Sequence, residues 1–199
     1  YVRYVMTGTL CMDYSDAAGT LLLNIEKNEW SKEIASVLAI DLAICPPLVS
    51  STEEVGQLTE DFAKSTGLTT ATKVYAGGAD NACGAIGAGI VANGKTMVSI
   101  GTSGVLLSYE ESKSKDFAGK VHYFNHAVTD AYYTMGVTLA AGHSLSWFKD
   151  QFAVGESYDE LLARMDEIAP GSNGLLFTPY IVGERTPYAD SIIRGSFIG

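Results

Sequence analysis

The stretch from Val74 to Leu107 constrains the fold more than any other part of the chain. It begins with an apolar run that ends at Gly77-Gly78-Ala79-Asp80 and continues with a segment of small residues. After a turn at Asn93-Gly94, a second apolar run ends in Gly101-Thr102-Ser103-Gly104. The pattern predicts a strand, a helix, a turn, a second strand and a loop. An acid that takes a proton and a loop that holds phosphate together suggest phosphoryl transfer to a hydroxyl.

Apolar periodicity and capping residues predict the other elements. Ser31 precedes a run with apolar residues at helical spacing, and Pro46-Pro47 stops it. Helices alternate with strands before Asn93 and strands cluster after it, which predicts an α/β fold with a boundary near residues 90–97. The predicted helices cover residues 32–40, 59–65, 82–91, 140–152 and 157–168, and the predicted strands cover 73–76, 96–100, 105–109, 121–128, 132–137 and 175–181.

Composition and charge narrow the classes of partner. With 47% hydrophobic and 18% charged residues, the 199-residue chain has enough apolar side chain for a sizeable core. A net charge of −10 argues against DNA, RNA or an anionic membrane as the main partner. It does not exclude a phosphate ligand, because a local loop of N–H groups can outweigh the global charge. Cys11, Cys45 and Cys83 are widely spaced, which favours buried thiols in a reducing cytoplasm over disulfides or zinc.

Asp80 has two interpretations. It follows two glycines and precedes a predicted helix, so it is placed to be the N-cap residue. It is also placed to act as a general base on a substrate hydroxyl, although a carboxylate with a pKa of about 4 is a weak base that depends on positioning. Asn81 offers a donor and an acceptor to a polyol hydroxyl, or is simply a residue of the first helical turn.

The segment Gly101-Thr102-Ser103-Gly104 is short and also has two interpretations. It is a hairpin turn, or it is a nest of N–H groups with two hydroxyls around the β- or γ-phosphate of a nucleotide. It lacks the spacing and the lysine of a Walker A loop. His122, His126 and His143 lack metal-ligand spacing, so we interpret them as structural and predict no metal ligand in the chain.

A series of short segments resembles the FGGY carbohydrate kinase family. Each segment is modest alone, but their order and spacing are specific, and the resemblance covers essentially the whole chain. It is nearest to the members that phosphorylate D-xylulose at O5 with ATP and Mg²⁺. The segments are DYSDAAGT from Asp13, GGADNACGAIGAG from Gly77, SIGTSGV from Ser99, AAGHSLSWF from Ala140, GERTPYAD from Gly183 and RGSFIG from Arg194.

The resemblance implies an α/β, ribonuclease H-like (actin-like ATPase) fold that includes parts of two domains. Residues 1–92 would be the C-terminal part of the first, sugar-binding domain. Residues 93–199 would be the N-terminal part of the second, nucleotide-binding domain. The family's active site lies between its two domains.

The resemblance also implies roles for individual residues. Asp80 matches the catalytic aspartate, and Asn81 matches a position that contacts the sugar, so both are expected to bind substrate. Thr102 is the best candidate to contact the phosphates of ATP, and no residue is assigned to Mg²⁺. The segments around Asp13 and Glu184 receive no chemical role. The residues matched to the nucleotide or its phosphates are Gly101, Thr102, Ser103, Gly104 and Gly142.

Parts of the family pattern do not occur in these 199 residues. They are the D-x-G-T-x-S phosphate motif, a Met-His pair that contacts the sugar, and a glycine-rich segment that holds adenosine. The chain therefore resembles the middle of a longer protein, and we expect these residues alone to have little or no kinase activity. We expect D-xylulose and ATP as partners, no nucleic acid, no membrane, a cytoplasmic location and, as one option, a homodimer.

Three alternatives stay open. The protein is an FGGY kinase for ribulose, gluconate, fuculose or glycerol, although the asparagine at position 81 argues against glycerol, for which the family usually carries glutamine. It is an actin-like ATPase whose nucleotide hydrolysis is independent of any sugar. Or it is a sugar-binding or structural piece without catalysis.

Overall fold

A computed structural model describes residues 1–113 and 115–199, which form two compact units. Each unit collects segments that are separated along the chain, because the chain passes between the units several times. Unit 1 consists of Tyr1–Thr96, Ser108–Asp116 and Tyr123–Thr134, and unit 2 of Met97–Leu107, Phe117–His122 and Met135–Gly199.

Side-chain caps explain where four of the α-helices begin. Asp13, Ser31, Thr59 and Ser157 each accept hydrogen bonds from backbone N–H groups of the first helical turn. The α-helices are α1 (Val2–Thr7), α2 (Tyr14–Gly19), α3 (Lys32–Val37), α4 (Glu60–Thr66), α5 (Asp80–Gly87), α6 (Gly142–Phe152) and α7 (Tyr158–Leu162).

The predicted helices are confirmed in place, but their ends differ. The helix predicted over 82–91 begins two residues earlier, at Asp80, and ends at Gly87. Helix α3 ends before the prediction because Ala39 takes a positive φ of 52°. The helix predicted over 157–168 is divided into α7 and a 3-10 turn at Met165–Glu167. Helix α2 is not among the predicted helices.

The strands form one four-stranded sheet and several two-stranded ones. The four-stranded sheet has the order β7-β8-β10-β9. Strand β1 pairs with β4 in parallel, whereas β2–β3, β5–β6 and β11–β12 are antiparallel pairs. The strands are β1 (Met12–Asp13), β2 (Leu23–Asn24), β3 (Glu29–Trp30), β4 (Leu48–Val49), β5 (Glu54–Gln57), β6 (Lys73–Tyr75), β7 (Thr96–Ile100), β8 (Gly104–Glu110), β9 (His122–Asn125), β10 (Tyr132–Thr138), β11 (Leu176–Thr178) and β12 (Ser196–Ile198).

Two small apolar clusters hold unit 1 together. The first packs around Val55, Leu58 and Val74, which joins the β5–β6 pair to helix α4. The second packs around Ala17, Ala18 and Leu23, which fixes helix α2 against the strands near it. Burial of this apolar surface stabilises the unit and thereby sets the positions of β6 and α2, which flank the start of helix α5.

Aromatic side chains fix helix α6 within unit 2. Trp147 stacks on Phe177 with ring centroids 6.1 Å apart, and Phe148 meets Phe197 edge-on at 6.2 Å. Phe177 and Phe197 themselves lie 4.7 Å apart on the β11–β12 pair. These contacts hold the helix that begins at Gly142.

The cysteine prediction is partly wrong. All three cysteines are free thiols, as expected, but Cys83 is exposed and Cys11 and Cys45 are only half-buried. Cys83 lies on α5, whose alanines rather than its cysteine face the interior. Across residues 1–113 and 115–199, no helix combines the length and the apolar character that crossing a bilayer requires.

Candidate active site

Asp80 is the first residue of helix α5, and its carboxylate is exposed. Its Oδ1 accepts hydrogen bonds from the backbone N–H of Asn81 at 2.6 Å and from Asn81 Nδ2 at 3.0 Å. Its Oδ2 accepts none from the described residues. The N-cap interpretation is wrong, because Ala79 occupies that position and no side chain caps the helix from there. One carboxylate oxygen is therefore available to a substrate hydroxyl.

The two glycines before Asp80 serve different purposes. Gly77 has a φ of 72°, a left-handed conformation that favours glycine in the turn out of β6. Gly78 lies in close contact with neighbours, because a Cβ there would lie 3.0 Å from both Ser15 Oγ and Ala127 Cβ. The first glycine therefore permits the turn, and the second permits Ser15 to approach the backbone that leads into α5.

Asp80 shares its part of unit 1 with two other acids. Burial raises the pKa of Asp16, the charge of Asp13 raises it further, and Asp80 makes a smaller contribution, whereas Arg3 lowers it. Burial also raises the pKa of the Tyr133 phenol, with added contributions from Asp80, Asp16 and Asp13. The start of α5 thus lies in a negatively charged neighbourhood, although no group of three or more potential metal ligands forms among the described residues.

The GTSG loop (Gly101–Gly104) joins strands β7 and β8, which are neighbours in the sheet, so its backbone makes a hairpin connection. Thr102 and Ser103 are exposed. Neither their N–H groups nor their hydroxyls donate to any atom in the described part of the chain. Two free N–H donors and two free hydroxyls on adjacent residues fit the oxygens of a phosphate.

Gly142 lies directly against the GTSG loop within unit 2. Its N–H donates to the carbonyl of Gly101 at 2.9 Å, while the N–H groups of Ala141 and His143 donate to the carbonyl of Thr102 at 2.9 and 3.1 Å. A Cβ at Gly142 would lie only 2.6 Å from the Gly101 carbonyl oxygen. These N–H groups at the start of α6 are thus occupied by the loop. Their role is to shape the loop, because they have no hydrogen left for a phosphate.

Glu184, which has no predicted role, stabilises this arrangement through the end of strand β10. Its side chain is buried, and its carboxylate accepts hydrogen bonds from Thr138 Oγ1 at 2.7 Å and from the Leu139 N–H at 3.2 Å. Thr138 Cγ2 would in turn lie 2.8 Å from a Cβ at Gly104. Glu184 therefore fixes the end of β10 on which the GTSG loop rests. No local sequence pattern indicates this role of Glu184, which becomes visible only in its tertiary contact with Thr138.

We expect Glu184→Ala to lower the free energy of unfolding by roughly 1–3 kcal/mol, because it leaves the half-buried donors of Thr138 and Leu139 without this acceptor. Urea denaturation measures the change. Glu167→Ala is the matched control, since Glu167 pairs with Arg164 on the surface of the same unit and should cost less than about 0.5 kcal/mol. Equal losses in the two variants would contradict the bracing role of Glu184.

Two histidines behave as structural residues. His126 is buried, and its Nδ1 accepts a hydrogen bond from the Val128 N–H at 3.0 Å. Burial lowers the pKa of His126, and burial also lowers the pKa of His122. A lowered pKa keeps these two imidazoles neutral at pH 7, which is consistent with packing among other side chains.

One polar cavity of unit 1 does not include the predicted site. It measures about 220 Å³ and is lined by residues that include Tyr14, Asn28, Asn125 and His126. Neither Asp80 nor Asn81 contributes to its wall. The exposed carboxylate of Asp80 therefore offers its free oxygen at the surface of the unit rather than inside this cavity.

Comparison with known proteins places these features in a family. The sequence pattern of the FGGY carbohydrate kinases matches the chain with its N-terminal domain over residues 1–87 and with its C-terminal domain over residues 96–199. The chain belongs to the FGGY family of carbohydrate kinases. Asp80 and Asn81 lie in the stretch matched by the first FGGY domain, whereas the GTSG loop, Gly142 and Glu184 lie in the stretch matched by the second.

Xylulose kinases are among the FGGY proteins most similar to the chain. It is 63% identical over 199 residues to the xylulose kinase of Bacillus subtilis and 53% identical to that of Lactococcus lactis. In both cases the match covers 100% of the chain and 40% of the relative. The chain therefore spans well under half the length of these relatives.

A solved structure shows the fold. The crystal structure of a xyloylose (xylulose) kinase from Brucella ovis matches with a TM-score of 0.91 and 37% sequence identity, over 100% of the chain and 41% of that protein. The fold is thus the ribonuclease H-like, actin-like ATPase fold of FGGY sugar kinases, as the sequence predicted.

Proposed function

We propose that the full-length protein carrying this chain transfers the γ-phosphoryl group of ATP to O5 of D-xylulose. The observation that carries the proposal is the 63% identity to a xylulose kinase over every residue of the chain. The exposed Asp80 carboxylate and the unpaired donors of the GTSG loop support it, because they supply a proton acceptor and a phosphate-binding surface.

Asp80 acts as the general base. Its free Oδ2 takes the proton of the O5 hydroxyl while the bond from O5 to the γ-phosphorus forms and the bond from that phosphorus to the β-bridging oxygen breaks. ADP leaves with the electron pair, and the proton later passes from Asp80 to solvent. Asn81 already donates one Nδ2 hydrogen to Asp80, and its remaining amide groups bind a sugar hydroxyl.

The GTSG loop and Gly142 orient the nucleotide. The N–H groups and hydroxyls of Thr102 and Ser103 bind the phosphates, and Gly101 and Gly104 keep the loop free of side chains. Gly142 holds the loop through its hydrogen bond to the Gly101 carbonyl. Mg²⁺, when bound, would offset the negative charge of the phosphates, and we assign no ligand for it in this chain.

Three broader expectations belong to the same proposal. The division into a sugar-binding part over residues 1–92 and a nucleotide-binding part over 93–199 is supported by the gap between the two family matches. A cytoplasmic location is supported by three free thiols. The homodimer stays a prediction.

A substrate panel tests the proposal. We expect kcat/KM of the full-length protein for D-xylulose to exceed that for ribulose, gluconate, fuculose and glycerol by about 100-fold or more, because a site built for one set of hydroxyls leaves polar groups unpaired with another. A coupled assay of ADP release measures this. Preference for another sugar would reassign the substrate, and ADP release independent of any sugar would favour an ATPase instead.

A further inference from the structure

A buried serine from helix α2 contacts the backbone directly ahead of Asp80. Ser15 is 1% exposed, and its Oγ accepts a hydrogen bond from the Ala79 N–H at 2.9 Å. The same hydroxyl donates to Oδ2 of Asp13, which is also 1% exposed. The chain of bonds therefore runs from the peptide before Asp80, through Ser15, to a buried carboxylate.

The Asp13 carboxylate determines which atom donates in each of these hydrogen bonds. A carboxylate only accepts hydrogen bonds, so the Ser15 hydroxyl hydrogen points at Asp13 and its lone pair faces Ala79. Asp13 Oδ2 also accepts from the Ser15 N–H at 2.9 Å, the Asp16 N–H at 3.3 Å and Ser51 Oγ at 3.3 Å. Several donors hold this oxygen in place, so it in turn holds the rotamer of Ser15.

The start of helix α5 needs such an external contact. Its N-cap residue is Ala79, which has no side chain able to cap the helix. The preceding residues are fixed in the same way, because the Ala76 N–H donates to the Glu53 carbonyl and the Gly77 N–H to the Ser51 carbonyl, both at 2.9 Å. Ser15 adds the last of these contacts, at the residue that adjoins Asp80.

Asp80 depends on this backbone for its position. Its carboxylate is exposed and, among the residues that the structure describes, accepts hydrogen bonds only from the N–H and the side-chain amide of Asn81, the next residue on the same helix. The place of its free oxygen is therefore set by the peptide that Ser15 holds. Because proton transfer is sensitive to sub-ångström geometry, a shift of this peptide would reach the reacting atoms.

We propose that Ser15, oriented by Asp13, is a positioning residue that sets the location of Asp80 for proton transfer. The inference rests on the proposed function, and it assigns a role to the DYSDAAGT segment. Ser15 does not touch the substrate. It acts through Ala79 and the first turn of α5.

Ser15→Ala in the full-length protein tests this. The substitution removes one oxygen atom and adds no volume, so the variant should fold. We expect kcat for D-xylulose phosphorylation, per folded molecule, to fall about 10- to 100-fold with KM for ATP within about 2-fold of its original value. Ser51→Ala is the matched control, because it removes a second hydroxyl from the same Asp13 oxygen without touching Ala79. Its kcat should change less than about 3-fold.

Amide hydrogen exchange gives a readout that is independent of activity. In Ser15→Ala the Ala79 amide should exchange at least about 10-fold faster than in the unmodified protein, whereas Ser51→Ala should leave it near its original rate. Normal kcat in Ser15→Ala despite faster exchange at Ala79 would overturn the positioning role, as would equal losses of kcat in the two variants. Failure of the unmodified protein to phosphorylate D-xylulose would instead overturn the proposed function, and the exchange rates would still decide whether Ser15 holds Ala79.

Discussion

Asp80→Asn should lower kcat for phosphorylation of D-xylulose by about 10³-fold or more in the full-length protein. Asparagine has nearly the same shape as aspartate, but its amide cannot take the proton of the O5 hydroxyl. General-base catalysis contributes roughly 10²- to 10⁴-fold, and the charge of the carboxylate next to the transferred group adds to that. A coupled assay of ADP release at saturating ATP and sugar measures the loss.

The fold should tolerate this substitution. Asp80 is exposed, and an asparagine Oδ1 can still accept the hydrogen bond from the Asn81 N–H. We therefore expect the midpoint of urea unfolding to change little. KM for ATP should stay within about 3-fold of its original value, because the proposed role of Asp80 is to act on the sugar rather than on the nucleotide.

Asp61→Asn provides the matched control for Asp80→Asn. Asp61 is also an exposed aspartate in the first turn of a helix, α4, in the same unit. It should leave kcat unchanged, since nothing places Asp61 in the site. Turnover of Asp80→Asn within about 10-fold of the unmodified protein would remove Asp80 from the role of base. An equal loss of kcat in Asp61→Asn would mean that removing any negative charge from this unit lowers kcat, whatever its position.

Local sequence signals predicted the strands on either side of the GTSG loop well. Strand β7 was predicted with its observed bounds, Thr96–Ile100, because an apolar run is bounded there by Asn93-Gly94 and by a glycine. The GTSG loop follows directly from that strand. These signals succeed because each depends only on residues close together in the chain.

The start of helix α5 shows where local signals fail. Asp80 has the strongest capping preference in its segment, yet Ala79 is the N-cap. The partner of the Ala79 N–H is Ser15, which lies 64 residues earlier in the chain. A contact at that separation leaves no local pattern, so the sequence predicted a helix in this segment with different ends and offered Asp80 as one candidate for its N-cap. The role of Glu184 also leaves no local pattern, because the hydroxyl that donates to it belongs to Thr138, 46 residues away.

The resemblance to the FGGY family supplied what local signals could not. It named Asp80, Asn81, the GTSG loop and Gly142 as one set, although the chemistry of a four-residue loop is ambiguous by itself. The structure brings the loop and Gly142 together within unit 2 through backbone hydrogen bonds, and it places Asp80 beside Asn81 in unit 1. The family assigned the set, and the physical contacts explain why a glycine stands at position 142.

Gly142→Ala should disrupt the GTSG loop. The new Cβ would lie 2.6 Å from the Gly101 carbonyl oxygen, which is part of the backbone and cannot rotate away like a flexible side chain. The hydrogen bond from the Gly142 N–H to this oxygen would lengthen, and the GTSG loop would shift with it. We expect kcat/KM for ATP to fall about 10- to 100-fold, because the donors of Thr102 and Ser103 move relative to the phosphates. Overpacking should also lower the free energy of unfolding by roughly 1–3 kcal/mol.

Two measurements separate this effect from a general loss of stability. KM for ATP should rise while KM for D-xylulose stays near its original value, since the proposed role of the loop is to bind the nucleotide and not the sugar. Gly19→Ala is the matched control, because a Cβ at Gly19 at the end of helix α2 meets no atom within 4 Å. That variant should keep its kinetics and gain up to about 1 kcal/mol of stability, as alanine restricts the unfolded chain more than glycine does. If Gly142→Ala bound and used ATP normally, the close approach of Gly142 to the loop would have no part in holding the phosphates.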